Sequence, residues 1–518
     1  MDVKSVLFIA ITAGSLLMSN TACGQGENSY LLIGWAKADM TPEKPVLVSG
    51  QFHARVSEGI MDPITATVLA LESVRNGTPA GAVIMVSCDL GSISECLRKA
   101  VREKLGEVLP ELDPMSVIMN ATHTHTAPHT IIRRRYSGNA EPELNPYGVE
   151  LDVISSSEYV AFASQKIAGA IADAWKSRSR GGIAYGMDYA VVGRNRLISY
   201  STGSSIMYGS TNRPDFSHVE GYEDHSVNIL ATYDGQKSLT GMVINLACPS
   251  QVSESLFQLS ADYWHETRQE LRRRFGEELF VMSQASAAGD QSPHVLVDKP
   301  AEMRMQKLAN RTTRQQIACR ISDAVERVVP LIADTVEWAP VLAHRPEMLK
   351  LPRRLIPESS VEASNKEAEK AREKYEELLK DLEAHPEKKK GKRWYTNISR
   401  AYRIARRNTL VSDRFRLQQT EPEIEFEVHV VRLGDIVFAT NPFELYIDYG
   451  IQIKCRSKAV QTFVIQLAGP GSYLPTERSI KGGAYGAVPT STQVGPEAGQ
   501  KLVEWTLKTI DELYQSSK

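Results

Sequence analysis

Apolar residues recur along this chain at two spacings. Continuous or alternating β-branched runs at 31–39, 63–72, 80–89 and 116–120 predict strands. Apolar positions three and four residues apart over 95–109 and 158–178 predict amphipathic helices. Strand runs follow at 182–193, 227–232 and 240–247, then a helix over 262–275, a strand over 279–284 and a helix over 315–333. The last third shows strands at 424–433 and 435–439 around Gly434, a helix over 445–457, a strand over 463–467 and a closing helix from 496. Strands in groups with helices between them predict an α/β (mixed α+β) class, layered sheets flanked by helices. No internal repeat is present.

Two stretches break this pattern. Residues 357–410 are rich in Glu, Lys and Arg, with a break at His385-Pro386 and three lysines at 388–390. They predict a protruding helical hairpin with solvated charged faces, inserted into the surrounding domain; it reads as a surface insertion, or as a lid or partner arm. Residues 1–23 carry Lys4, an apolar run from Val6 to Met18, then small residues and Cys23. That is a secretory signal pattern and predicts a secreted or periplasmic protein. The run is short for a membrane span. Cys23, after Thr21-Ala22, matches the lipidated cysteine of a bacterial lipoprotein, although Asn20 stands where Leu is usual. Membrane attachment is expected only through such an anchor. The chain of 518 residues has 60 basic and 62 acidic side chains, a balance that gives no footprint for nucleic acid. Six scattered cysteines form neither a disulfide framework nor a metal knuckle.

The candidate chemistry centres on Ala121 to His129, where three histidines follow a buried strand. In an extended segment His123 and His125 point to one face. Two neutral imidazoles there suit a zinc-like metal, or one holds metal while the other polarises a substrate. The plain alternative is a polar strand end hydrogen-bonded to backbone. The flanking Thr and Ala residues leave room for a ligand. The Gly50 to Arg55 loop is polar and predicted to approach a site, and the small-residue turn from Ala287 to His294 can bring backbone amides to a ligand. Asp89, His123, Ser292, Glu444 and Tyr473 all fall just after predicted strands, where layered proteins gather functional groups.

In this order the motifs resemble the neutral/alkaline (non-lysosomal) ceramidases. That family's Ala-Thr-His-Thr-His-Ser-Gly-Pro is matched by Ala121 to Pro128, with Thr126 and Ala127 in place of Ser and Gly. Its Gly-Asp-Val-Ser-Pro-Asn is matched by Gly289 to His294. A late Pro-x-Glu is matched by Pro442-Phe443-Glu444, and a Tyr before aliphatic-x-Thr by Tyr473-Leu474-Pro475-Thr476. An Asn-Arg pair is matched by Asn195-Arg196. The resemblance implies a ceramidase-like catalytic domain over 30–518, excluding the charged insertion, and a zinc amidase that cleaves the N-acyl bond of a sphingolipid. Carried over, His123, Glu444 and Tyr473 are similar to the Zn²⁺ ligands, Ser292 to the essential serine, and His125 and Arg196 to substrate-polarising groups.

Three departures qualify this. Where the family has Ala-Thr-His-Gly with a second histidine ligand, this chain reads Ala247-Cys248-Pro249-Ser250. His265 and, after it, His225 are the imidazoles expected to compensate. The separate C-terminal immunoglobulin-like domain of the long ceramidases is not matched, and the charged hairpin is extra. The expectation is a metal-dependent hydrolase of a small-molecule acyl amide. The alternatives are a hydrolase of the same fold acting on an acylated sugar or peptide-like amide, and a non-catalytic ligand-binding relative.

Overall fold

Asn76 and Gly77 both adopt positive φ, 50° and 78°, and turn Thr65–Arg75 back on Thr78–Cys88 in a two-residue hairpin. This hairpin belongs to an eight-stranded sheet in the computed structural model, which describes residues 28–132 and 146–515. The predicted leader at 1–23, with Cys23, lies outside the described residues, as does the Arg-rich stretch 133–145. Across the sheet the order is Phe280–Ala285, Leu239–Leu246, Ser226–Asp234, Ser179–Tyr189, Tyr30–Asp39, Thr65–Arg75, Thr78–Cys88, Val117–Ala121. The six inner strands are antiparallel, but the outermost pair at each edge is parallel. A parallel pair needs a crossover. Helix Glu95–Val108 supplies one and Tyr263–Phe275 the other. The carboxyl ends of these four strands all feed loops that build the cleft described below.

A second sheet, in the order Leu342–Pro352, Glu423–Leu433, Ile436–Thr440, Gln461–Ile465, packs face to face on the first. Leu69, Met85, Val243, Phe438 and Phe463 fill the space between them, all almost wholly buried. The outer face of the large sheet is covered by Glu95–Val108 and Ser156–Lys176 at one side and by Tyr263–Phe275 and Thr313–Ile332 at the other. Helices Ile447–Arg456 and Pro496–Gln515 cover the outer face of the small sheet. The layers therefore run helix, sheet, sheet, helix, the layered α/β class expected. Ser155 and Glu158 form a capping box that starts its helix at Ser156, two residues before the apolar repeat becomes visible.

The strand Leu342–Pro352 is not predicted by the apolar pattern. It is an edge strand, paired on one side only, and it carries Pro346, which has no N–H to give a second neighbour. The charged insertion is a pair of helices, Glu358–Ala384 and Thr396–Thr420, joined through Pro386–Lys390. The second helix runs ten residues past the expected end at 410. The hairpin is also docked. Tyr395 and Ile398 pack with Leu47, Ala54 and Tyr147, and Tyr375 and Leu378 lean on the same cluster. The Tyr375 hydroxyl donates to the Gly148 carbonyl at 2.5 Å, and Ser399 Oγ accepts the Ala54 N–H at 2.9 Å. Its faces are therefore charged outside and apolar where they meet the domain. No helix among the described residues is long and apolar enough to cross a membrane.

Candidate functional site

Strand Val117–Ala121 ends two residues before His123, short of the extended His123-His125 pair expected. His123 sits in the left-handed region, φ 64°, so side-chain alternation does not carry past the strand. The two rings are still neighbours, with centroids 5.0 Å apart and planes at 75°. They serve different partners. His123 Nδ1 lies 2.5 Å from the Gly91 carbonyl, and its Nε2 lies 3.2 Å from Glu444 Oε2. His125 Nδ1 stands 3.2 Å from Glu254 Oε2, close enough for charge attraction though off the line of a hydrogen bond, and its Nε2 meets the Gln251 amide at 2.9 Å. Thr124 and Thr126 do not make room for a ligand. Their buried hydroxyls donate to the Ser260 carbonyl and pin the loop.

Glu444 comes from the other sheet's connection. It opens a two-residue strand, Glu444–Leu445, which pairs in parallel with Tyr473–Leu474, so Glu444 and Tyr473 are register partners. Arg196 is 3% exposed and reaches into the same place. Its Nη2 donates to the Gly289 carbonyl at 2.9 Å and to the Tyr473 hydroxyl at 3.3 Å, 4.0 Å from Glu444 Oε2. Its Nη1 donates to the Tyr208 hydroxyl at 2.9 Å and to Gln251 Oε1 at 3.2 Å. With Oε1 committed to Arg196, the Gln251 NH₂ must donate to His125 Nε2, which leaves the His125 proton on Nδ1, facing Glu254. Burial raises Glu444, but His123 and Arg196 outweigh it and hold the carboxyl below its usual range. Burial, then Glu444, push the Tyr473 phenol well up.

The Gly289 to Ser292 turn acts as a clamp. Gly289 N–H donates to the Leu445 carbonyl at 2.8 Å, and a Cβ there would meet the Glu444 carbonyl oxygen at 2.3 Å, so only glycine fits. Asp290 accepts from Asn195 Nδ2 at 2.9 Å and from the Ile447 N–H at 3.0 Å; burial raises its carboxyl to about 6. The turn thus ties the Arg196 segment to the Glu444 segment. Ser292 is fully buried, does not line the cleft, and its Oγ accepts the His294 N–H at 3.1 Å.

The cleft holds about 750 Å³ and is lined by His123, His125, Arg196, Glu254, Glu444 and Tyr473 together with an aromatic rim. Two contributors, Glu254 and Gln251, escaped the sequence reading. Glu254 lies between His125 and His294, whose Nε2 is 3.0 Å from Glu254 Oε1. Gln251 joins His125 to Arg196. Arg55, wholly buried, donates to the carbonyls of Ser49, His125, Glu254 and Leu256 and so fixes three loops. Gln251 and Glu254 follow the altered Pro249 segment by two and five residues, which was the available signal. The expected compensating histidines do not reach the cleft. His265 starts the helix Tyr263–Phe275, and His225 pairs with Glu223 at 3.2 Å; neither lines the cleft. Pro249 lies in a segment held by structure alone, with Ser250 Oγ donating to the Thr122 carbonyl at 2.8 Å. Asp89 is likewise structural, clamped in a bidentate ion pair by Arg268 at 2.7 and 2.8 Å.

Whether this donor set fits a metal ion is decided at His123. The Gly91 carbonyl can only accept, so Nδ1 carries the proton and the Nε2 lone pair faces a carboxylate. That arrangement calls for a second proton or a cation between the two. Two ligands of a tetrahedral zinc, each about 2.0–2.1 Å from the ion, lie roughly 3.3 Å apart, close to the 3.2 Å seen here. His123 and Glu444 thus fit as two ligands of one ion, with Tyr473, the register partner of Glu444, as the nearest third oxygen donor of the expected set. Among the described residues no group of three His, Cys, Asp or Glu stands placed to hold a metal ion, here or elsewhere, so the third donor would have to be Tyr473.

These features define a four-layer α/β protein that collects its polar groups in one cleft at the carboxyl ends of strands. Its fold is that of the neutral ceramidases. The neutral ceramidase from Pseudomonas aeruginosa superimposes with a TM-score of 0.64 at 15% identity, over 94% of this chain and 75% of that one. A ceramidase complexed with C2 gives 0.63 at 14% identity, over 94% and 76%. No family model and no curated protein matches the chain by sequence.

Proposed function

We propose that this protein hydrolyses the N-acyl amide bond of a small-molecule substrate. The observation that carries the reading is the meeting of His123, Glu444, Tyr473 and Arg196 in one cleft of a ceramidase fold, from four segments far apart in sequence. His123, Glu444 and Tyr473 are the residues that would hold zinc. Zinc supplies Lewis acidity, polarising a carbonyl and acidifying water. Arg196 contributes fixed positive charge. Both its terminal nitrogens are engaged with protein acceptors, so it is preorganised to stabilise an oxyanion by its field and needs no reorientation. His125, held by Gln251 and Glu254, lines the pocket beside His123, and would polarise a substrate carbonyl only if its Nε2 exchanged the Gln251 amide for the substrate. Ser292 Oγ accepts the His294 N–H and so helps to keep the turn after Gly289 closed; being fully buried and outside the cleft lining, it would have to become exposed to the cleft to attack.

Elemental analysis of the full-length protein, followed by a panel of acyl amides and acyl esters that includes ceramide, tests this. Amide cleavage that falls by on the order of 10²–10³ in Arg196→Met supports it. A correctly folded protein that binds no metal and turns over no amide overturns it and leaves a binding protein. A hydrolase of the same fold with another acyl substrate would show cleavage in the panel but none of ceramide. We also propose export through the leader ending near Cys23. The mass of the protein from its native host checks this: an intact Met1 overturns export, and a diacylglyceryl group on Cys23 identifies a lipid anchor.

A further inference from the structure

The acids that line the cleft are all matched by cationic or ionisable partners. Glu95 pairs with Arg98, Glu254 with His125 and His294, and Glu444 with His123 and Arg196. The charged hairpin adds cations with no such match. In its second helix Arg400, Arg403, Arg407 and Arg414 are spaced three, four and seven apart, which puts them along one side. Among the described residues none of the four meets a carboxylate, whereas Arg416, off this stripe, pairs with Asp413. Arg407 lies over the rings of Phe52 and Tyr485, 5.1 and 4.6 Å from their centroids, and donates to the Thr490 carbonyl at 3.3 Å and to Ser491 Oγ. Arg414 Nη1 donates to the carbonyls of Pro489 and Thr492, and burial followed by the charge of Arg407 lowers it to about 10. Arg403 lines the cleft itself, with its guanidinium 5.3 Å over the Tyr147 ring.

We infer that the cleft takes an anionic amide, with the anionic group of the substrate held by Arg403 on the hairpin side. Arg403 stands one turn from Arg407 on the same side of the helix and faces the open cleft, where an oxyanion would offset their positive charge. Carboxylate, sulfonate and phosphate share the required chemistry, and guanidinium groups bind all three through charge-assisted hydrogen bonds. Phe52, Tyr147 and Tyr485 give the apolar surface against which an acyl chain lies. This rests on the amide reading above for the word amide, but the anion site stands on the hairpin alone.

The test separates the two. Binding of N-octanoylglycine, N-octanoyltaurine and the neutral N-octanoylethanolamine is measured by calorimetry on the full chain, at low and high salt, with turnover followed separately. An anionic probe is expected to bind on the order of tenfold tighter than the ethanolamide at low salt, with the advantage shrinking at high salt. Arg403→Gln should remove that advantage, and Arg403→Lys should restore part of it, with melting unchanged in both. The glycine and taurine arms tell a carboxylate from a larger oxyanion. Equal binding of charged and neutral probes overturns the inference, as does an advantage that survives Arg403→Gln. A preference for the anion with no cleavage of any amide would overturn the hydrolase reading alone. Cleavage without the preference would overturn this inference alone.

Discussion

Glu254 is held between the rings of His125 and His294, and burial would raise its carboxyl were it not for those two partners, which bring it well below the usual range. A depressed folded-state carboxyl stabilises the fold above its unfolded value, about 4.3, and that contribution is lost as pH falls below it. Glu254→Gln is therefore expected to flatten the acid limb of stability below pH of about 4.5, read as urea midpoints from pH 7 to 3. Arg55→Met should do more damage at neutral pH, because four carbonyls lose their donor inside the protein. A loss of about 3 kcal/mol or more is expected, with loss of turnover. Ser292→Ala removes one hydrogen bond to a turn and is expected to cost about 1 kcal/mol while turnover stays within a few-fold. Loss of nearly all turnover at unchanged stability would instead make Ser292 the attacking group.

At the level of elements, the Gly50 to Arg55 loop and the hairpin form one wall. Gly50 has φ of 99°, and a Cβ there would stand 2.4 Å from His125 Cγ. Gly50→Ala should displace the His125 ring and lower turnover more than it lowers the melting temperature. Ile398, 3% exposed where the hairpin meets the domain, anchors the wall from the other side. Ile398→Ala should cost about 2–4 kcal/mol and loosen the hairpin, seen as faster amide exchange in Thr396–Thr420 than elsewhere. Charge-rich composition and the break at His385-Pro386 located the hairpin but not its docking. The apolar positions that dock are few among many charges, and a sequence pattern does not say which face has a neighbour.

Across the whole molecule, zinc and fold are expected to respond separately. Phe438 and Phe463 stand with ring centroids 4.6 Å apart between the two sheets and do not line the cleft. Phe438→Ala should cost about 3–5 kcal/mol and leave zinc content unchanged, whereas His123→Ala should abolish zinc at nearly normal stability. His265→Ala and His225→Ala should keep the metal, since neither lines the cleft. Elemental analysis alongside denaturant melts reads all four. The sequence alone determined the strands and helices whose periodicity is strong and the layered class. Of the five side chains it placed just after strands, His123, Glu444 and Tyr473 line the cleft and Asp89 and Ser292 do not, while His125 and Arg196 were singled out by the resemblance to the ceramidases. Tertiary structure decided the rest. The left-handed turn at His123 broke the alternation, leaving the two histidine rings adjacent but turned to different partners. Glu254 and Gln251 became the partners of His125 from a segment more than a hundred residues away, and the edge strand Leu342–Pro352 formed only because Glu423–Leu433 offered it hydrogen bonds. Local periodicity reports which face of an element is apolar, while partners distant in the chain are set by how the layers close on one another.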